Sequence, residues 1–139
     1  MSTLHIDIVS AEKQIYSGKA ELVSATGELG ELGITPGHSQ LLTKLKPGLV
    51  RVKVPNEGEE VFYISGGILE VQPYLVTVLA DTAERAKDLD EAEAQEAMEK
   101  AKQLLSGKQA EVDYAKALAE IANIAAQLRA IRALKDKLK

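Results

Sequence analysis

The 139-residue chain contains no cysteine, so it forms no disulfide bond and has no thiolate chemistry. It contains no apolar run near the roughly 20 residues that a helix needs to span a bilayer. Residues 1–7 lack a basic start and a long apolar segment, so we expect no signal peptide. These absences predict a soluble protein that reaches a membrane only through a partner.

The chain also lacks the common motifs of catalysis. Its two histidines are His5, on an alternating apolar segment, and His38, in a glycine-rich segment. No group of histidines and carboxylates has metal-site spacing, and neither a P-loop nor a nucleophile elbow is present. Residues 27–33 have glycines at intervals of three, but their acidic residues would repel phosphate. We therefore expect a noncatalytic protein without a metal ion, in which His38 is structural or lies at an interface.

Residues 1–84 have the pattern of short β-strands. Apolar and polar residues alternate at residues 4–9 and 49–54, and three further short runs are rich in β-branched and aromatic residues. Glycine or proline turn signals separate the runs, at residues 17–18, 47–48, 55–58, 66–67 and 73–74. This spacing predicts an antiparallel β-sandwich or flattened barrel.

Residues 85–139 predict an antiparallel pair of helices. After Ala86 there is one glycine, Gly107, and no proline, and good helix formers dominate. Asp88 followed by Glu91 fits an acidic N-cap, and Gly107 can end the first helix. Residues recur at the helical spacing of a buried stripe: Ala94, Ala97, Met98, Ala101 and Leu105, then Leu118, Ile121, Ala125, Leu128, Ile131 or Arg132, Leu134 and Leu138. The fold class is therefore α+β, with a sandwich domain at 1–84 and a helical hairpin domain at 85–139.

The second helix is rich in alanine, which limits what its packing contributes. A buried leucine contributes ~2 kcal/mol, whereas an alanine methyl contributes less than about 1 kcal/mol. We therefore expect a hairpin that can detach from its surroundings. The alternative is an ordinary alanine-rich hairpin that stays in place.

Basic residues are concentrated at the carboxyl end of the chain. The net charge of −4 divides into −5 for residues 1–84 and +1 for residues 85–139. Basic side chains favour a helix C-terminus through its dipole, and an acidic protein partner is the second interpretation. The negative total argues against nucleic acid as a partner. The basic residues of the last eleven positions are Arg129, Arg132, Lys135, Lys137 and Lys139.

Two glycine-containing segments carry a resemblance to a known family. Residues 30–42 read GELGITPGHSQLL and predict a stiff, bent loop, and residues 63–72 read YISGGILEVQ. With shorter matches in the same order, among them residues 8–12, 76–83 and 126–129, they resemble the epsilon subunit of the bacterial rotary F-type ATP synthase. The resemblance covers essentially the whole chain. It implies a β-sandwich of about ten strands and a helical hairpin in a noncatalytic rotor subunit of the central stalk.

The resemblance also implies partners for the sandwich. Ser10, His38 and Thr43 match positions that face the gamma subunit in the family. Glu31 matches the loop that meets the ring of membrane c subunits. The subunit would then lie peripherally at the cytoplasmic face of the bacterial plasma membrane, held there by the proton-translocating complex.

For the hairpin, the resemblance implies regulation. It would extend among the catalytic alpha and beta subunits and block ATP hydrolysis. Arg129, Arg132, Lys135 and Lys137 would then meet an acidic surface of the beta subunit.

Some members of the family bind ATP between the folded-down helices, and this chain departs from their motif. Asp90, Arg129 and Arg132 match nucleotide-binding positions, but Glu93 stands where the motif has arginine. An anion in place of a phosphate-facing cation reverses the interaction with nucleotide. We therefore expect no cofactor, with regulatory ATP in doubt.

Two other functions are compatible with the residues alone. One is a free-standing β-sandwich adaptor or chaperone whose basic helix binds acidic proteins, which co-purification with a membrane ATPase would separate from the first. The other is a nucleotide sensor that acts alone, which calorimetry with ATP would test.

Overall fold

The computed structural model describes residues 2–106 and 111–138, and the side chains of residues 2–103 and 115–135. In this part of the chain, nine strands precede a short 3-10 turn at Ala86–Asp88 and two α-helices, α1 (Glu91–Ser106) and α2 (Glu111–Leu138). The strands are β1 (Leu4–Ser10), β2 (Gln14–Ala20), β3 (Leu22–Gly27), β4 (Gly30–Ile34), β5 (Leu41–Val54), β6 (Gly58–Ile64), β7 (Gly67–Val71), β8 (Leu75–Ala80) and β9 (Ala83–Arg85).

The described strands form a continuous hydrogen-bonded sheet that folds into two layers. Their order is β2-β1-β8-β7-β5-β3-β4. Outside this order, β6 pairs with β5, and β9 pairs with β6. The pairs are antiparallel except that of β1 with β8. These two strands are far apart in the sequence, which leaves room for the long connection that a parallel pair requires. The predicted sandwich is therefore confirmed, with nine strands and one parallel pair.

The two layers are joined by β5. Its residues 41–45 pair with β7, and its residues 48–54 pair with β6. The turn expected at Pro47 and Gly48 is wrong, because the strand continues through them and changes its partner. Proline has no N–H for a ladder bond, which suits this change. A Cβ at Gly48 would lie 2.6 Å from Thr26 Cβ of β3, so glycine permits the close approach of the two strands.

The main apolar core lies between the layers. Alternate residues of each strand point into it, as the period of two in the sequence requires. Its fully enclosed side chains include Ile6, Ile8, Val23, Val50, Val52, Phe62, Ile64, Leu69, Val76 and Val78.

Strand β6 is buried on both faces. Residues 61–64 are all buried, and two of them point into the core. On the outer face, Val61 and Tyr63 pack against Ala126 and Ala130 of α2. A continuous apolar run is typical of a strand that is covered on both sides. The small alanine side chains let α2 lie close to the sheet.

Helix α2 lies between the sheet and α1. On its α1 side, Ile121, Ile124 and Leu128 belong to a cluster that includes Ala94 and Ala101. The start of α1 contacts the end of α2, so the predicted antiparallel hairpin is confirmed. Among the described residues, neither helix is long and apolar enough to cross a membrane.

Four further local expectations were wrong. Residues 17–18, expected to form a turn, lie inside strand β2. Leu118 is 45% exposed, because it lies outside the two clusters through which α2 packs against the sheet and against α1. Asp90 caps α1 in place of Asp88, and its Oδ1 accepts a hydrogen bond from the N–H of Glu93 at 3.1 Å. The first part of the expected loop at residues 30–42 forms strand β4. The expected cap at Gly107, the side chains of Leu105 and Leu138, and residue Lys139 lie outside the described part of the chain.

Candidate functional site

Glu31 lies beside a tight turn at the end of the β3–β4 hairpin, and we call residues 27–31 the β3–β4 tip. The turn consists of Glu28 and Leu29, and glycines close it on both sides. The backbone N–H of Glu28 donates to the carbonyl of Lys44 in β5 at 3.1 Å. The hydroxyl of Thr26 donates to the carboxylate of Glu31 at 3.3 Å. The tip is therefore fixed to the sandwich by both backbone and side-chain hydrogen bonds.

Thr43 lies next to this tip. With Leu32 of β4 and Leu41 of β5, it lines an open, mainly apolar cavity of about 230 Å³ under the turn. Glu31 lines the same cavity. The structure thus brings Thr43, expected at the gamma contact, together with Glu31, expected at the c-ring contact.

The structure separates Ser10 from His38. Ser10 ends β1 and pairs with Ala80 at the end of β8. His38 lies near the opposite end of β8, because the N–H of Gly37 donates to the carbonyl of Pro73 at 2.7 Å. The two residues therefore lie toward opposite ends of the sheet that contains β1, β8 and β7.

The outer face of that sheet exposes several apolar side chains. Val9, Leu79 and Ile68 are neighbours across β1, β8 and β7. Leu42 of β5 pairs with Glu70, two residues beyond Ile68 on β7, and so lies on the same face. Leu42, Ile68 and Leu79 are 69%, 42% and 48% exposed. We call these four residues the β7–β8 face. A cluster of apolar side chains on an open sheet face is typical of a protein-binding surface.

A polar cluster lies on β1 and β2. Asp7 Oδ1 accepts a hydrogen bond from Ser17 Oγ at 2.7 Å and lies 3.0 Å from His5 Nε2 and 3.4 Å from Gln14 Nε2. The hydrogen bond from Ser17, supported by His5 and Gln14, holds the pKa of Asp7 below its ordinary value. Ser17 Oγ lies 2.9 Å from the same His5 Nε2. Serine and carboxylate thus share one ring nitrogen, so the histidine cannot relay a proton between them as in a catalytic triad.

The hairpin is attached to the sandwich by a hydrogen bond as well as by packing. Tyr63 O–H of β6 donates to Asn123 Oδ1 of α2 at 3.0 Å. Burial under α2 raises the pKa of Tyr63, and a hydrogen bond with Gln127 partly opposes the shift. The neutral phenol is therefore the form that suits the docked hairpin.

The basic end of α2 is partly engaged within the chain. Lys135 Nζ forms an ion pair with the carboxylate of Glu91 in the first turn of α1. Arg129 and Arg132 are exposed. The side chain of Lys137 lies outside the described residues.

An acidic cavity of about 470 Å³ opens between the sandwich, α1 and α2. Among the described side chains, Asp90 and Glu93 line it but neither Arg129 nor Arg132 does. The structure thus brings Asp90 and Glu93 together at this cavity, and the two arginines lie outside its lining. A lining of carboxylates repels phosphate oxygens. The acidic residues of the lining are Glu84, Asp88, Asp90, Glu93 and Glu120.

Some features of these sites were not found from the sequence. Leu29 at the β3–β4 tip is fully exposed, and the signal that could have shown it is an apolar residue at a glycine-bounded turn. The Lys135–Glu91 and Tyr63–Asn123 contacts join residues far apart in the chain. No local sequence pattern predicts contacts between residues so far apart.

Comparison with known proteins agrees with this architecture. Residues 3–86 match the family model of the ATP synthase delta/epsilon chain β-sandwich domain. The ATP synthase epsilon chain of Thioalkalivibrio sulfidiphilus is 62% identical, covering 96% of this chain and 95% of its own length. That of Legionella pneumophila (strain Lens) is 54% identical, covering 99% and 98%.

Solved structures show the same fold. A chain of the Euglena gracilis mitochondrial ATP synthase, in an OSCP/F1/c-ring structure, has a TM-score of 0.76 at 19% identity, covering 99% of this chain and 82% of that one. A chain from the Tetrahymena thermophila mitochondrial ATP synthase central stalk and c-ring has a TM-score of 0.63 at 14% identity, covering 94% and 97%.

A β-sandwich followed by a helical hairpin, with this family match, defines the class of ATP synthase delta/epsilon chains. Within that class, the chain belongs to the ATP synthase epsilon chain family. The resemblance found in the sequence is thereby confirmed, and the chain is a subunit of a membrane-associated complex.

Proposed function

We propose that the chain is a noncatalytic rotor subunit of the central stalk in a proton-translocating ATP synthase, where it couples rotation to catalysis. We further propose that its helical hairpin limits ATP hydrolysis. The single observation that carries the regulatory part is the alanine-rich contact between α2 and the sandwich, to which α2 contributes Ala126, Ala130, Ala133 and one larger side chain, Leu134. Each alanine methyl contributes less than about 1 kcal/mol, so the docked hairpin is held by a modest free energy.

The docked hairpin leaves its charges available to a partner. Arg129 and Arg132 are exposed, and an acidic surface on the catalytic subunits would attract them. The extended hairpin exchanges its weak contacts with the sandwich for contacts with the catalytic subunits. The free energies of the docked and extended conformations then differ by only a few kcal/mol. The nucleotide state of the catalytic subunits then shifts the balance between them.

Two regions of the sandwich supply the rotor contacts in this proposal. The β7–β8 face, with Ser10 and His38 toward its two ends, binds the gamma subunit. The β3–β4 tip, with Glu31, binds the c-ring, and the neighbouring Thr43 faces the gamma subunit. These contacts hold the subunit at the cytoplasmic face of the bacterial plasma membrane.

We also infer that the cavity beside α1 does not take ATP. Asp90 and Glu93 face it without a described arginine in its lining, which disfavours a triphosphate. Calorimetry with millimolar ATP should give no saturable heat, and saturable binding that is lost in Asp90→Ala would overturn this inference.

The inhibitory role is tested by the ATPase activity of the assembled complex. Removal of residues 129–139 should raise hydrolysis and leave assembly intact. The double charge reversal Arg129→Glu with Arg132→Glu should act in the same direction, and more strongly at low ionic strength, where exposed charges are less screened. The matched control is Lys100→Glu with Lys102→Glu, which reverses two exposed charges on α1. Unchanged hydrolysis in the truncated complex, at full occupancy of the subunit, would refute the role.

A further inference from the structure

Leu29 is the most exposed large apolar residue of the described chain. Its side chain is 102% exposed, and it occupies one of the two positions of the β3–β4 turn. Two-residue turns favour glycine, asparagine and aspartate, so leucine brings no advantage to the turn itself. It also contributes nothing to the core. A contact outside the subunit would give this side chain a role.

The tip presents Leu29 in a fixed position. Gly27 pairs with Gly30 across the turn, and the N–H of Glu28 is bonded to the carbonyl of Lys44 at 3.1 Å. Little backbone freedom is lost when such a turn binds a partner, and a rigid surface binds more tightly for that reason.

The chemistry around Leu29 describes the partner. Glu28 and Glu31 lie on the same tip, and the cavity beneath the turn is lined by Leu32 and Leu41. An apolar side chain between two carboxylates fits an apolar socket bordered by basic or amide side chains. The charge of the tip favours a polar loop with a positive charge over another acidic surface.

We propose that Leu29 is the apolar anchor of the c-ring contact, inserted between loops of adjacent c subunits whose basic side chains meet Glu28 and Glu31. This inference rests on the proposed function, which places the β3–β4 tip against the c-ring. Of the affinity of the β3–β4 tip for the c-ring, it assigns the larger part to Leu29 and the smaller part to Glu31. Burial of a leucine contributes more to binding than an exposed ion pair does.

The test measures binding of the catalytic complex, carrying the full-length subunit, to membrane vesicles that retain the c-ring but have been stripped of that complex. Leu29→Ser should weaken binding by about tenfold to a hundredfold, the range expected for loss of one buried leucine. Leu29→Met should bind within about threefold of wild type, since it keeps the apolar volume. Assembly with gamma should not change in either variant.

The matched control is Leu118→Ser, the same substitution at an exposed leucine on α2. It should leave binding unchanged. The melting temperature of each free Leu29 variant should equal that of wild type, because Leu29 contacts nothing in the core.

Two results would overturn the inference, and they differ in what they say of the proposed function. If Leu29→Ser binds like wild type while Glu31→Lys weakens binding, the contact exists but Leu29 is not its anchor. If neither variant changes binding or ATP-driven proton pumping, the tip does not contact the c-ring at all.

Discussion

Lys135 near the end of α2 forms an ion pair with Glu91 in the first turn of α1, across 44 positions of sequence. The pair joins the two outer ends of the hairpin. Lys135 is also one of the basic residues proposed to meet the catalytic subunits. One side chain therefore has two alternative partners that it cannot bind together.

This relationship predicts different effects of substitution at the two members of the pair. Glu91→Gln frees Lys135 and should lower ATP hydrolysis by the complex, whereas Lys135→Gln should not lower it. An exposed ion pair contributes about 0–1 kcal/mol, so the shift should be at most about fivefold. Glu96→Gln, which breaks the exposed pair with Lys100 in the same helix, is the control. A fall in hydrolysis with both Glu91→Gln and Lys135→Gln would contradict the exchange of partners.

A second prediction concerns the contact between α2 and the sheet. Ala126→Leu or Ala130→Leu should force α2 away from Val61 and Tyr63, since overpacking a tight contact costs about 1–3 kcal/mol. Leucine and alanine are both good helix formers, so the helix itself should persist. Amide hydrogen exchange in β6 should rise, and inhibition of hydrolysis should strengthen.

Ala122→Leu places the same side chain on an exposed position of α2 and should change neither quantity. Equal exchange rates in all three variants would show that α2 is not held at this contact.

The raised pKa of Tyr63 predicts that alkaline solution detaches the hairpin. Burial raises this pKa above 10.0, so the docked state favours the neutral phenol. The stabilisation is complete below the ordinary pKa of tyrosine and is lost as pH rises through the raised value. The ultraviolet titration of wild type minus that of Tyr63→Phe gives the curve of this residue. Its midpoint should fall toward 10.0 when residues 89–139 are removed, and an unchanged midpoint would show that α2 does not cause the shift.

Two glycines in the segment 30–42 should respond differently to valine. Gly37 has φ of +86°, where a β-branched residue is strained, whereas Gly33 has an ordinary φ and open space around a new Cβ. Gly37→Val should lower the melting temperature of the free subunit, and Gly33→Val should not. Any loss of assembly in Gly33→Val then reports close packing by a partner. A large loss of stability in Gly33→Val would contradict the geometry of β4.

The division into domains at residue 84 remains a prediction, and the structure suggests a sharper test of it. That boundary falls inside β9, and it removes Arg85, whose guanidinium lies 5.5 Å and 5.7 Å from the ring centres of Tyr16 and Phe62. Arg85 also pairs with Glu60 at 3.6 Å. We expect both fragments 1–84 and 1–88 to fold, with 1–88 more stable by about 0.5–2 kcal/mol in urea. Equal stability would mean that Arg85 contributes nothing, and a disordered 1–88 would refute an independent sandwich.

Much of the fold was predictable from the sequence because its signals are local. The period of two in β1 and the change in composition near residue 85 gave the sandwich and the hairpin. Less of the candidate site than of the fold could be predicted from the sequence. His38 and Ser10 were found by resemblance, and their positions relative to each other depend on strand pairing that no single segment encodes.

The errors have a common physical origin. Pro47 and Gly48 are strong turn residues, yet here they mark where one strand changes its neighbours, which depends on tertiary packing against Thr26. Leu118 followed the apolar period of a helix with one covered face, but α2 has two covered faces. A periodic pattern reports which residues are apolar and leaves open how many neighbours the element has.

The path of β5 through both layers has a mechanical consequence. The β3–β4 tip is bonded to Lys44 of β5, and the same segment of β5 is paired with β7, which leads on to β8 and β1. A force applied at Leu29 therefore reaches the β7–β8 face through backbone bonds and a continuous ladder. Sliding of the two layers past each other would therefore strain β5. In the proposed rotor, β5 is the strand that connects the two contact surfaces.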